Sequence, residues 1–170
     1  MTLKSILLGA TVALMPAIAS AHVEISTAVA RVASPVAQTA AVYMTIRNHS
    51  DVDDRLFRVE GDVAERIEIH TTVADDAGVM RMMELEDGIS IASGDTHALR
   101  PGGDHIMLLG LTGPLEQGDT FDIIVYFDEW IPETVTVTVD NEAAQALAGE
   151  GGMSMEMEDG DHMGHGDSDS

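Results

Sequence analysis

Ile69 to Leu111 reads IHTTVADDAGVMRMMELEDGISIASGDTHALRPGGDHIMLLGL, and its punctuation decides the fold. Short apolar runs are separated by Asp75-Asp76-Ala77-Gly78, Glu86-Asp87-Gly88, Ser93-Gly94-Asp95 and Pro101-Gly102-Gly103. Gly, Pro and Asp impose or tolerate turn dihedrals, so each cluster ends one extended segment and starts another. No 3.6-residue apolar period survives between such closely spaced breaks, whereas alternation over two residues does. The stretch therefore reads as strands over Val79–Met83, Ile89–Ile91, Thr96–Leu99 and His105–Leu111, preceded by one over Ala64–Thr71.

The same pattern extends outward in both directions. His22–Ala33 (HVEISTAVARVA) alternates weakly and is broken by Ser34-Pro35. Ala41–Asn48 (AVYMTIRN) alternates cleanly, with Val42, Met44 and Ile46 on one face and Tyr43 and Thr45 on the other. Leu56–Val59, Phe121–Phe127 and Thr134–Asp140 complete the expected strands, and only Asn141–Ala148 (NEAAQALA) looks helical. Many short strands with turns every eight to twelve or so residues predict an all-β, antiparallel β-sandwich.

The two ends read differently. MTLKSILLGATVALMPAIASA has a charged start, an apolar middle and small residues at Ala19-Ser20-Ala21, the layout of a secretory signal cleaved after Ala21. The expected organisation is a signal over 1–21, the sandwich over 22–141, and a short helix with an acidic tail over 142–170. The tail, GEGGMSMEMEDGDHMGHGDSDS from Gly149, has methionine as its only large apolar residue. It cannot bury enough surface to offset ordering entropy and is expected to be disordered.

The chain carries 30 acidic residues against 8 basic ones, a formal charge of −22. A surface of that sign has no cationic patch for phosphate, which argues against nucleic acid or anionic lipid as partner. There is no cysteine, so disulfides and thiolate metal chemistry are both excluded. No Gly-x-Ser-x-Gly or comparable signature appears, and the chain is not expected to be an enzyme. After cleavage no membrane span is expected, and a periplasmic monomer is the simplest expectation.

What remains is a supply of histidine and methionine. Imidazole and thioether share copper as a strong ligand partner, and thioether favours Cu(I). On the last strand of the opening stretch, His105 and Met107 share a face while Ile106 and Leu108 suit the core, so the first pair is expected to point outward. Met80 and Met82 likewise share a face opposite Arg81 and Met83, and His70 lies across its strand from Ile67 and Ile69. In the tail, Met153, Met155, Met157, His162, Met163 and His165 could capture copper in either oxidation state, Cu(II) included. His22, at the new N-terminus, could chelate Cu(II) through its amine and ring. His49 and His97 lack methionine neighbours and read as surface residues.

These segments resemble the PCuA(C) family of periplasmic copper chaperones. The resemblance is carried by AAVYMTIRN at 40–48, Ile67-Glu68-Ile69-His70, Gly78–Met82 (GVMRM), Arg100–Leu111 (RPGGDHIMLLGL) and Gly118–Phe127 (GDTFDIIVYF). It implies a cupredoxin-like, Greek-key β-sandwich that binds Cu(I) at an exposed site through His70, Met82, His105 and Met107. Met82 lies twelve residues after His70, and His105 lies twenty-three after Met82, each interval one residue longer than the family's. Met80 is therefore the alternative middle methionine. The resemblance also implies delivery to the CuA site of cytochrome c oxidase, alone or with a Sco-type protein. A copper-buffering or resistance protein with the tail as metal sink is a rival reading, and a scaffold sandwich with incidental His and Met is another.

Overall fold

The alternation in the second strand becomes the centre of the molecule. In the computed structural model, which describes residues 22–75 and 77–148, Val42, Met44 and Ile46 are all at most 1 % exposed. Among the described residues ten strands run in chain order: β1 (Val23–Val32), β2 (Thr39–Asn48), β3 (Asp54–Glu60), β4 (Ala64–Ala74) and β5 (Met80–Glu84) come first. β6 (Ile89–Ile91), β7 (Thr96–Leu99), β8 (His105–Leu111), β9 (Thr120–Phe127) and β10 (Glu133–Val139) follow, then one helix, α1 (Asn141–Ala146). Every strand expected from the sequence is present. The signal segment and the tail residues Met153, Met155, Met157, His162, Met163 and His165 lie outside the described residues.

Hydrogen bonding connects the strands in the order β5-β4-β8-β2-β1-β10-β9-β3-β6, with β7 paired to β2. All the pairings are antiparallel except that between β1 and β10, where the two halves of the sandwich join. A shift of register between Ser26 and Val29, with Thr27 at φ 54°, marks a bulge in β1. Bulges of this kind bend and twist a strand.

The core collects alternate residues from both halves: Val42, Ile46, Leu56, Ile106, Leu108, Ile123 and their neighbours form one buried cluster. Each fully buried aliphatic side chain of this size contributes about 1.5–3 kcal/mol relative to an exposed one. Ile106 and Leu108 are both 0 % exposed, as parity predicts. They anchor β8 and force His105 and Met107 onto the opposite face of its sheet.

That opposite face is not simply solvent. α1 starts at Asp140, whose carboxylate accepts hydrogen bonds from the backbone N–H groups of Glu142 and Ala143. These bonds hold the Asp140 carboxyl below the usual carboxylate range. The helix then packs Ala144 against Val29 of β1 and Tyr43 of β2, closing a second small apolar cluster.

β2 changes partner along its length, and this places the site. Its first half, Thr39–Val42, pairs with β8, and its second half, Met44–Arg47, pairs with β7. The chain passes from β7 to β8 through a tight turn closed by Gly103 N–H donating to Arg100 O and Arg100 N–H donating to Asp104 O. His105, the first residue of β8, emerges from this turn beside Tyr43.

Candidate metal centre

The register of three neighbouring strands brings the His and Met positions to one face. On β4 and β8, His70 is directly opposite His105, and Glu68 is opposite Met107. On β4 and β5, Thr72 is opposite Met82, Ala74 is opposite Met80, and Thr71 is opposite Met83. Residues directly opposite in an antiparallel pair project to the same side. His70, Met82, His105 and Met107 therefore share a face, and Met83 belongs to the other one.

The His70 and His105 rings stand edge to face with centroids 5.9 Å apart. A shallow cavity of about 360 Å³ opens beside His105, lined among others by Arg31, Tyr43, Thr72, Met82, His105 and Met107; His70 is not part of its lining. Met80 shares the face but does not line the cavity. It sits two residues further along β5, opposite Ala74, about 7 Å beyond Met82 at the strand rise. Both methionines lie on an edge strand, and Met82 is 61 % exposed.

One expectation needs correction. His105 points away from the sandwich core but not into solvent: it is only 4 % exposed. The Tyr43 ring lies 6.3 Å from it and the His70 ring 5.9 Å, and Gly103 of the preceding turn hydrogen-bonds to it. Alternation reports the face a side chain takes, while burial depends on what folds back over that face. Met107 is half-buried and Met82 exposed, so the arrangement runs from a covered imidazole to an open thioether.

Hydrogen bonds orient both rings. The Gly103 carbonyl accepts from the Thr72 backbone N–H at 3.2 Å and from His105 Nδ1 at 3.1 Å. His70 Nε2 lies 2.9 Å from Glu68 Oε2, and Glu68 Oε1 is held by Arg66 Nη1 at 3.0 Å. His70 Nδ1 is buried with no hydrogen-bond partner among the described residues. Buried polar atoms are nearly always satisfied, so an orphaned imidazole nitrogen on the face that carries Met82 and Met107 fits a soft metal ion that would complete it.

Burial holds the His105 imidazole below its ordinary pKa of 6.5. The Gly103 carbonyl opposes that shift, nearby His70 adds to it, and Asp104 again opposes it. A neutral ring is the form that can ligate a metal. Between 6.5 and the lower folded value, the unfolded chain binds more protons than the folded one, so stability falls as pH drops through this window. In metal-free protein, denaturation midpoints should fall from about pH 7.5 to about pH 5, and a His105→Asn variant should show a shallower fall. An equal slope in the two proteins would refute this assignment.

The other histidines among the described residues stand elsewhere. His22 stacks on Trp130 with centroids 4.5 Å apart, at the far end of β1 and β2 from the cavity. His49 pairs with Glu24 at 2.7 Å, and His97 with Asp104 at 2.9 Å. Neither lines the cavity, in keeping with their reading as surface residues. Reasoning from sequence did not single out Tyr43, Glu68, Thr72 or Gly103 as parts of this site. The signal for Glu68 and Thr72 was present, since both alternate onto the His70 face. That for Tyr43 required knowing that α1 covers its side of β2. Burial pushes the Tyr43 phenol up, partly offset by the Arg31 guanidinium, so the hydroxyl stays neutral.

Fold and site together define a cupredoxin-like sandwich domain of the PCuA(C) type. Residues 23–140 match the family model described as "Putative lipoprotein LpqE-like", and the chain belongs to that family. A protein named "Putative lipoprotein Lxx21020" from Leifsonia xyli subsp. xyli is 38 % identical over 76 residues, 45 % of each chain. The chain spans about half the length of the curated relatives it matches. Among solved structures, the copper-bound PCuAC domain from PmoF2 superposes with a TM-score of 0.59 at 21 % identity, over 74 % of this chain and 98 % of that one. The Cu(I) form of DR1885 from Deinococcus radiodurans superposes with a TM-score of 0.55 at 27 % identity, over 71 % of this chain and 79 % of that one. No helix among the described residues is long and apolar enough to cross a membrane.

Proposed function

We propose that this protein is a copper metallochaperone rather than an enzyme, carrying Cu(I) on His70, Met82, His105 and Met107. The observation that carries the reading is the common face of two imidazoles and two thioethers beside a buried, unpartnered His70 Nδ1. The Cu(I)-loaded neighbour at 27 % identity supports the choice of metal. Two neutral imidazoles and two thioethers suit Cu(I), and without a thiolate they do not make a blue-copper electron-transfer site.

The gradient of exposure suits transfer. His105 is held within the fold, while Met82 stands on the open edge strand, where an acceptor's ligands can displace it. Such an acceptor is the CuA site of cytochrome c oxidase or a Sco-type protein, reached in the periplasm after cleavage behind Ala21. The segment from Gly149, with Met153, Met155, Met157, His162, Met163 and His165, would hold further copper. Should that segment be the main sink, the protein would instead buffer copper.

Competition titration with a Cu(I) chelator tests the ligand set, and mixing with an apo CuA fragment tests delivery. Met82→Ala should weaken Cu(I) binding by about 10-fold or more, while Met80→Ala should change it less than about 3-fold. The reverse order would reassign the middle ligand. Absence of a CuA absorption band above that given by free copper would leave buffering as the function.

A further inference from the structure

The two histidines of the site are wired differently. The Gly103 carbonyl can only accept a hydrogen bond, so the contact with His105 Nδ1 at 3.1 Å puts the proton on Nδ1. The free lone pair of His105 is then on Nε2. For His70 the opposite holds. Glu68 Oε2, 2.9 Å from His70 Nε2, belongs to a carboxylate whose other oxygen is bonded to Arg66, so it too can only accept. The proton of His70 is then on Nε2 and its lone pair on Nδ1, the buried atom without a partner.

We propose that Glu68 is a positioning residue: it fixes the His70 tautomer so that copper is taken by Nδ1 of His70 and by Nε2 of His105. This rests on the ligand reading proposed above and specifies which atoms serve it. Three features favour a built arrangement over an incidental surface pair. The side chains of Glu68 and His70 are each only 16 % exposed. The other carboxylate oxygen of Glu68 is paired with Arg66 Nη1 at 3.0 Å, which leaves Oε2 for the ring. Glu68 also lies directly across from Met107, which places a carboxylate next to the position of a cation held by four neutral donors. A carboxylate behind a ligating imidazole fixes ring orientation and raises ligand basicity.

The test is 15N-resolved imidazole NMR of the purified protein, first without metal and then with one equivalent of Cu(I). Without metal, His70 should appear in the Nε2–H form and His105 in the Nδ1–H form. Glu68→Ala should convert His70 to a mixture of tautomers and weaken Cu(I) binding by about 10- to 100-fold, with His105 and His97 unchanged as internal controls. Glu68→Gln, which retains an accepting oxygen, should restore most of both. On adding Cu(I), the resonances that move should be His70 Nδ1 and His105 Nε2. A proton on His70 Nδ1, a tautomer ratio unaffected by Glu68→Ala, or a copper shift at His70 Nε2 would each overturn the proposal while leaving the ligand set intact. A copper response at neither ring would overturn the ligand set and this inference together.

Discussion

Replacing His105 and Met107 together by alanine should lower Cu(I) affinity by about 100-fold or more, while the protein stays folded. Loss of even an outer-shell partner typically costs 10- to 100-fold in metal affinity, and this pair comprises two direct donors on the proposed reading. The two residues are the outward half of β8, whose other half, Ile106 and Leu108, anchors the strand in the core. The double variant therefore removes half the donor set without touching the principal apolar contacts of the strand. Its structural cost comes from the covered His105, where the Tyr43 and His70 rings lose a neighbour. Competition against a Cu(I) chelator measures the affinity, and the backbone amide NMR spectrum reports whether the sandwich persists. An affinity within threefold of the parent, in a folded variant, would eliminate β8 as the metal-bearing strand. It would favour a scaffold sandwich with incidental His and Met.

Gly88→Ala should be the most destabilising single-methyl addition, by about 2–5 kcal/mol. Gly88 closes the turn into β6, its N–H donating to Leu85 O at 2.9 Å, with φ at +74°. An L-residue in that region costs roughly 1–2 kcal/mol. A Cβ there would also stand 2.2 Å from the Leu56 carbonyl oxygen and 2.8 Å from Phe57 Cα, both backbone atoms of β3. Since β3 and β6 are paired through Leu56 and Ile89, the two strands must separate to admit the methyl. Overpacking of this kind adds about 1–3 kcal/mol. Gly94 is the matched control: its φ is +75°, but nothing lies within 4 Å of an added Cβ. Gly94→Ala should show the conformational cost alone, and Gly88→Ala should melt on the order of 10 °C lower than the parent. Equal losses in the two variants would show that close approach to β3 contributes nothing.

Much of the fold was legible because it is written in local chemistry. β2 announces itself through Val42, Met44 and Ile46 alternating with Tyr43 and Thr45, and β8 through an apolar run behind Pro101-Gly102-Gly103. A period of two marks an extended half-buried segment, and Gly, Pro and Asp mark where it stops. The burial of His105 was less accessible. It depends on a turn returning over its own strand, on Tyr43 from another strand and on the ring of His70, none of which sequence spacing reports. The choice between Met80 and Met82 is of the same kind. Parity puts both on one face, and only the pairing of β5 with β4 sets Met82 beside Thr72 and the cavity, with Met80 a step beyond it.

Taken alone, the amino-acid sequence determined the strands, their turns and the face to which His70, Met80, Met82, His105 and Met107 belong, because those follow from short-range sterics and a two-residue repeat. Only the tertiary structure decided that β4 lies between β5 and β8, that His70 stands opposite His105, and that Glu68 contacts Nε2 of His70 while Gly103 contacts Nδ1 of His105. Those arrangements join residues far apart in the chain. Their closure is driven by burial of the whole apolar face, and no local propensity encodes it.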